Sequence, residues 1–130
     1  MAALPERLAR QSAVTRWTAD TFGHDNAHHR GERVARFTEE ALELAQAGGF
    51  TLEDLMLLAQ HVFAKPPGTV SQEIGGVGVT LLSLAEAHGL DADACEAAEF
   101  ERVRAIDTAT FIVRHNKKAE AGVARWAGRR

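Results

Sequence analysis

The chain has 130 residues, 45% of them hydrophobic and 25% charged, and these values are typical of a soluble globular protein with one domain, residues 1–130. A formal net charge of −3 gives no general affinity for nucleic acid or for an anionic membrane. The single cysteine, Cys95, excludes an internal disulfide and favours the cytoplasm. The longest uncharged stretch, residues 74–85, is too short to cross a bilayer, so no membrane partner is expected.

The first predicted helix runs from about Pro5 to Thr21, because Pro5 suits a first helical turn and helical spacing follows it. Gly23 ends this helix. Residues 24–31 are polar and rich in histidine, which predicts a loop or a frayed helix start. Two of these histidines have the spacing of a metal pair but no third ligand, so we expect no zinc site at His24 and His28.

The second predicted helix, Arg33 to Ala47, carries a carboxylate stripe. Glu39 and Glu43 lie about 40° apart around the helix axis, and Glu40 and Glu43 about 60° apart. These carboxylates repel one another by about 1 kcal/mol per pair, and no lysine or arginine stands at i+4 to relieve them. A divalent cation would relieve the repulsion, whereas the alternative is a solvated acidic face. The helix also has an apolar face that needs a partner, formed by Val34, Phe37, Ala41, Leu44 and Ala45.

The third predicted helix, Leu52 to Phe63, has a strong start signal. Thr51 and Asp54 have the spacing of a capping box, and glycines 48 and 49 end the preceding helix. Its predicted buried face consists of Leu55, Leu58, Ala59 and Val62.

The fourth predicted helix begins at a second capping box, Thr69 and Gln72, and lasts to His88. Its three glycines, 75, 76 and 78, each cost about 1 kcal/mol in a helix relative to alanine, which suggests that another backbone packs closely there. Glu73 is the only charged residue between Lys65 and Glu86. Glu73 is either a metal ligand or a first-turn carboxylate that complements the helix dipole.

A fifth helix, capped by Asp91, is predicted to run through Val113, with Cys95 as a small core residue. The fold class that follows is all-α, a bundle of about five helices. From about residue 114 to residue 130 the chain is basic, and we expect a weakly ordered tail. A less favoured role for this tail is to reach a triphosphate on the same or a neighbouring subunit.

Two segments resemble the signature helices of the MazG-like, all-α nucleoside triphosphate pyrophosphohydrolases. That family pairs an E-E-x-x-E helix with an E-x-x-D helix around Mg²⁺. The first motif matches Glu39, Glu40 and Glu43, within residues 37–44. In the second, within residues 72–82, Glu73 matches the glutamate and Gly76 stands where the aspartate is expected. The resemblance covers roughly residues 17–102.

The resemblance implies hydrolysis of a nucleoside triphosphate to a monophosphate and pyrophosphate, with Mg²⁺ as cofactor and Mn²⁺ as a substitute. It also implies a homodimer or homotetramer completed by oligomerisation. Because Mg²⁺ takes few protein ligands, Glu40, Glu43 and Glu73 suffice for one ion, and Glu39 would bind a second ion or orient the attacking water. Gly76 leaves three outcomes open: fewer ligands, a replacement carboxylate such as Asp91 or Glu99, or a silent relative. The first is favoured.

Four further residues are candidates for contact with substrate. In the resemblance, the segment with Trp17 and Phe22 helps to wall the nucleotide pocket, although both aromatics are equally well explained as core. Arg33 and Arg36 precede the acidic stripe by about one turn and are candidate phosphate ligands. They are alternatively solvated, or paired with Glu40 and Glu32. His28, His29 and Arg30 are weaker candidates for polyphosphate contacts.

Two other classes of protein also have helices of this kind. A di-iron carboxylate bundle requires Glu-x-x-His pairs, and this chain has none. A non-catalytic helical module that dimerises or binds a nucleotide predicts the same helices and the same apolar faces, so it is the main alternative. The sequence does not identify the preferred base or sugar.

Overall fold

The computed structural model describes residues 6–126, and this part of the chain is helical, without strands. The all-α prediction is therefore confirmed, but there are seven helices in this range instead of about five. The predicted start at Pro5 and tail residues 127–130 lie outside the described residues. The seven helices are α1 (Glu6–Phe22), α2 (His24–His28), α3 (Arg30–Ala47), α4 (Leu52–Phe63), α5 (Val70–Ala87), α6 (Ala92–Arg104) and α7 (Thr108–Glu120).

The helices divide into two compact units. The first unit consists of the described residues up to 43 and from 100 onward, and it contains α1, α2, most of α3 and α7. The second unit, residues 44–99, contains α4, α5 and most of α6. The single domain predicted from the chain length stays a prediction.

The histidine-rich segment is helical, not a loop. Gly23, with φ +96°, separates α1 from α2 and adopts a backbone conformation that favours glycine. His29 then caps α3, because its ring Nδ1 accepts the backbone N–H of Glu32 at 3.0 Å. Helix α3 consequently begins at Arg30, three residues before the predicted start. An imidazole in this role is not among the usual capping residues, which explains why the sequence did not reveal it.

The capping box of α4 is confirmed. Thr51 Oγ1 accepts the Asp54 N–H at 3.1 Å, and Asp54 Oδ2 accepts the Thr51 N–H at 3.0 Å. The predicted bounds of α4 agree with the structure. The second box is wrong, because Thr69 occupies the N-cap of α5 without a capping hydrogen bond from its side chain.

The predicted fifth helix is two helices. Asp91 caps α6 as predicted, with Oδ1 accepting the Ala94 N–H at 3.0 Å. Asp107 then starts α7 by accepting the Ala109 N–H at 3.0 Å. An aspartate at this position offers the backbone an alternative to a continuous helix. The expectation of a weakly ordered tail is wrong for residues 114–120, which belong to α7.

The first unit has an aromatic core. Trp17 packs edge-to-face on Phe111 and Phe22, with ring centroids 5.2 and 6.2 Å apart, and this geometry suits the ring quadrupoles. Phe22 also lies 5.8 Å from the His115 ring. These contacts join α1 to α7, and α2 packs against α1.

The second unit buries few side chains. None of the residues of α4 or α5 is buried. The predicted buried face of α4 is wrong for this chain taken by itself, since Leu58 and Val62 are about half exposed. Cys95, predicted to be a core residue, is exposed as well. The apolar faces of α4 and α5 are thus exposed in the described part of the chain.

The capping box predicts a pH dependence of stability. The hydrogen bonds from Thr51 hold the pKa of Asp54 below its ordinary value. The ionised carboxylate is the acceptor, so its stabilisation is complete above the ordinary aspartate pKa and is lost as the pH falls below it. Asp54→Asn should lower the melting temperature at pH 7, with a smaller difference from wild type at the lowest pH at which the fold persists.

Glu53→Gln is the matched control, because it removes the same charge from the same helical turn. Circular dichroism melts from pH 2 to pH 7 measure both variants. A difference between Asp54→Asn and wild type that does not change with pH would contradict this explanation.

Candidate functional site

The three glutamates of the acidic stripe on α3 differ in how much of their surface is exposed. Glu40 and Glu43 are exposed, whereas Glu39 is partly buried. Glu39 Oε2 lies 2.7 Å from Arg36 Nη1, and its Oε1 lies 2.9 Å from Lys118 Nζ of α7. We expected a metal ion to neutralise the charge of Glu39. In the structure, two protein cations, Arg36 and Lys118, lie in that position instead.

Arg36 is the most highly connected cation of this site. Its Nε lies 3.1 Å from Glu32 Oε1, its Nη1 bonds to Glu39, and its Nη2 donates to the backbone carbonyl of Val123. Nη1 and Nη2 thus form hydrogen bonds, whereas Nε and Glu32 Oε1 are buried and form an ion pair without hydrogen-bond geometry. The predicted pairing of Arg36 with Glu32 is present in the structure.

Glu32 is fully buried, with 0% of its surface exposed. Its Oε2 accepts two consecutive backbone N–H groups, from Arg125 and from Trp126, the latter at 2.9 Å. Its other oxygen, Oε1, lies 3.8 Å from His115 Nδ1. Sequence reasoning treated Glu32 only as a possible partner of Arg36. The spacing of four residues between Glu32 and Arg36 indicates their ion pair. Nothing in the sequence indicates that the backbone of Arg125 and Trp126 would bond to Glu32.

Arg33 belongs to the same cluster. Its Nη2 donates to Asn26 Oδ1 at 2.6 Å, and Asn26 is itself buried. Burial lowers the pKa of Arg33, with the charge of Glu32 opposing and that of Arg36 adding to this shift. An arginine starts from so high a pKa that it remains charged in a protein. Arg33 and Arg36 are therefore both positive and both engaged.

The two aromatic candidates lie in the core cluster with Phe111. Both Trp17 and Phe22 keep part of their surface accessible. This position agrees with the core interpretation, and the wall of a nucleotide pocket stays a prediction for both residues.

Glu73 lies in the other unit, in the first turn of α5. Its carboxylate lies against Gly68, where a Cβ atom would collide with Oε1. At Gly76 a Cβ would meet no atom within 4 Å, so the position has room for the aspartate that the resemblance expects. The same is true of Gly75 and Gly78, so among the residues that the structure describes no other segment packs closely on these glycines. Of the proposed replacement ligands, Asp91 is engaged as the cap of α6.

Within residues 6–126, no three or more histidine, cysteine, aspartate or glutamate side chains converge so as to hold a metal ion. His24 and His28 form a stacked pair, with ring centroids 4.2 Å apart, and His28 Nδ1 lies 2.9 Å from the His24 carbonyl oxygen. The two glutamates of α3 that continue the stripe, Glu40 and Glu43, are exposed to solvent.

Over residues 6–126, no helix combines the length and the apolar character needed to cross a membrane. No protein-family model, curated protein or solved structure matches the chain.

The buried carboxylate predicts a large effect of substitution. Glu32→Gln removes the charge that compensates Arg36, and loss of one partner of a buried ion pair costs about 3 kcal/mol. We expect unfolding in urea to shift to lower concentration by a corresponding amount. Glu101→Gln is the control, because Glu101 forms an exposed pair with Arg104 at 3.0 Å, and such pairs contribute little. Equal midpoints for the two variants would show that the Glu32 cluster does not stabilise the fold.

Proposed function

We propose that this chain is a subunit of a Mg²⁺-dependent nucleoside triphosphate pyrophosphohydrolase. The reaction is attack of water on the α-phosphorus, which breaks the α–β phosphoanhydride bond and releases a nucleoside monophosphate and pyrophosphate. The observation that supports it most is the pair of exposed carboxylates, Glu40 and Glu43, on the helix that carries the E-E-x-x-E motif. Two carboxylates plus substrate phosphates and water are a common ligand set for Mg²⁺.

Each proposed residue has a role in this reaction. Glu40 and Glu43 are the proposed metal ligands on α3, and Glu73 is the third ligand that the resemblance implies. Mg²⁺ or Mn²⁺ would neutralise charge on the phosphate oxygens. Glu39 is the candidate for orienting water. Both of its oxygens are paired with cations in the structure, so this role requires that water replace one of those contacts.

The two arginines would neutralise phosphate charge. Arg33 and Arg36 lie on α3, one turn before the motif, and both are held by side chains of their own unit. Guanidinium groups fixed in this way lose little conformational freedom when they bind a phosphate. Trp17 and Phe22 are the candidates for contact with the nucleoside.

We further propose that the subunit forms a homo-oligomer through α4 and α5. Phe63 is 88% exposed, Val70 77% and Ile74 68%, and none of the residues of either helix is buried. Exposed apolar clusters of this size are unusual for monomers. Residues 44–99 contain fifteen exposed large apolar side chains: Leu44, Phe50, Leu52, Met56, Leu57, Leu58, Val62, Phe63, Val70, Ile74, Val77, Val79, Leu82, Leu84 and Leu90.

These side chains lie along α4 and α5 and in the segments next to them, so a partner that covers both helices would remove much apolar surface from water. A second copy of the chain is the natural partner, because it presents the same helices in a closed symmetric pair. Glycines 75, 76 and 78 would then allow close approach of the partner backbone.

A non-catalytic helical module is the second candidate. The observation that favours it is the pairing of Glu39 with Arg36 and Lys118, which relieves its negative charge without a metal ion. This module would share the oligomer but would not release pyrophosphate.

Pyrophosphate release separates the two functions. The full chain, incubated with a panel of nucleoside triphosphates, should release pyrophosphate with Mg²⁺ and not with EDTA. Glu43→Gln should abolish release while leaving the melting temperature unchanged or slightly higher, because it removes repulsion on α3. Gly76→Asp should raise the activity, since it supplies the missing ligand at a position with free space.

Glu101→Gln serves as the control for the loss of one negative charge. Full activity in Glu43→Gln would rule out the assigned ligand set. No release from any triphosphate with either Mg²⁺ or Mn²⁺ would favour the non-catalytic module.

The oligomer has its own test. Ile74→Lys places a charge within the apolar surface of α5 and should convert the oligomer to a monomer, because a lysine buried without a partner is strongly unfavourable. Val113→Lys, at an exposed position of α7, should leave the mass unchanged. Light scattering coupled to size-exclusion chromatography measures both. A monomeric wild-type chain at all concentrations would contradict this proposal.

A further inference from the structure

The segment Val123–Trp126 returns from α7 to the start of α3. It follows Gly122, whose φ of +75° turns the chain out of the helix. The segment has no helical structure of its own. It contacts α3 and the residue before it through hydrogen bonds to Glu32 and Arg36, through ring contact between Trp126 and His29 at 5.2 Å, and through Arg125 Cβ, which lies beside Gly31.

Glu32 is the fixed point to which this segment is attached. A buried carboxylate needs hydrogen-bond donors or positive charge around it. Arg36 and His115 approach one oxygen, and the N–H groups of Arg125 and Trp126 supply donors to the other. If the segment moved away, water could donate hydrogen bonds to Glu32 in place of these two N–H groups. Only hydrogen bonds would be broken, so the segment could dock again.

Arg36 connects this attachment to the candidate phosphate ligands. Two of its nitrogens pair with carboxylates of α3 itself, Glu32 and Glu39. The third, Nη2, donates to the Val123 carbonyl. Arginine binds phosphate best through two parallel N–H groups. The docked segment therefore takes up an N–H group of Nη2, the nitrogen that bonds to no carboxylate of α3, and it competes with a phosphate that would bind through Nη1 and Nη2 together.

We propose that Val123–Trp126 is a displaceable strap that masks Arg36, and that a polyphosphate group releases it by taking over the contact with Arg36. This proposal rests on the proposed function, because the substrate of the proposed hydrolase is a triphosphate. It adds a regulatory step, because substrate must open the strap before Arg36 reaches the phosphates. Irregular segments with few contacts open locally without unfolding the rest of a protein.

Hydrogen exchange of the full chain tests whether the strap opens. The amides of Arg125 and Trp126 should exchange at least about tenfold faster than hydrogen-bonded amides in the middle of α7. Addition of inorganic triphosphate, without metal, should accelerate them further. Sulfate at equal ionic strength is the control and should have less effect. Equal protection of the strap and of α7, or slower strap exchange with triphosphate, would overturn the proposal.

A variant tests the competition independently. Trp126→Ala removes the ring contact with His29 and leaves the buried charges of Glu32 and Arg36 in place. By calorimetry it should bind inorganic triphosphate several-fold more tightly than wild type. Unchanged affinity would overturn the strap.

The two proposals fail in different ways. Pyrophosphate release together with unresponsive amides at residues 125 and 126 overturns the strap alone. If triphosphate opens the strap but no pyrophosphate is released, the strap proposal stands and the hydrolase proposal is overturned. Absence of triphosphate binding by both wild type and Trp126→Ala overturns the strap and removes support from the hydrolase.

Discussion

The buried carboxylate of Glu32 is the interaction on which the first unit depends. It is one of few fully enclosed side chains there, and it is charged. An enclosed charge is tolerated only when its partners are held in place. Those partners come from three places in the sequence: Arg36 on its own helix, His115 on α7, and the backbone of residues 125 and 126. Glu32 is therefore the point at which α3 meets α7 and, when it is docked, the segment after α7.

The charges of α3 divide its polar residues into two groups. Glu32, Arg33, Arg36 and Glu39 are enclosed or engaged and form a network with α2 and α7. Glu40 and Glu43 face solvent. The network holds Arg33 and Arg36 in place, whereas Glu40 and Glu43 are exposed. A single helix thus carries a partly enclosed charge cluster and, one turn later, two solvent-exposed carboxylates.

Local signals in the sequence predicted the fold well where capping chemistry acts between neighbouring residues. The bounds of α4 and the cap at Asp91 follow from side chains three residues from the groups they bond. The break at Asp107 and the helix at His24 were missed, since propensity alone favours a continuous helix at the first and a loop at the second. The Glu32 cluster was beyond sequence reasoning, because two of its donors are backbone groups more than ninety residues away. The burial predicted for α4 failed because periodicity identifies an apolar face and not whether the same chain covers it.

The first unit is built from two stretches of the chain that are far apart in sequence, and this affects when its Glu32 cluster can form. Glu32 is synthesised early, but the backbone groups that bond to it follow 93 and 94 residues later. Until those residues are made, this carboxylate lacks two of its donors and has to stay in contact with water. The Glu32 cluster therefore closes only after the segment that follows α7 has been synthesised.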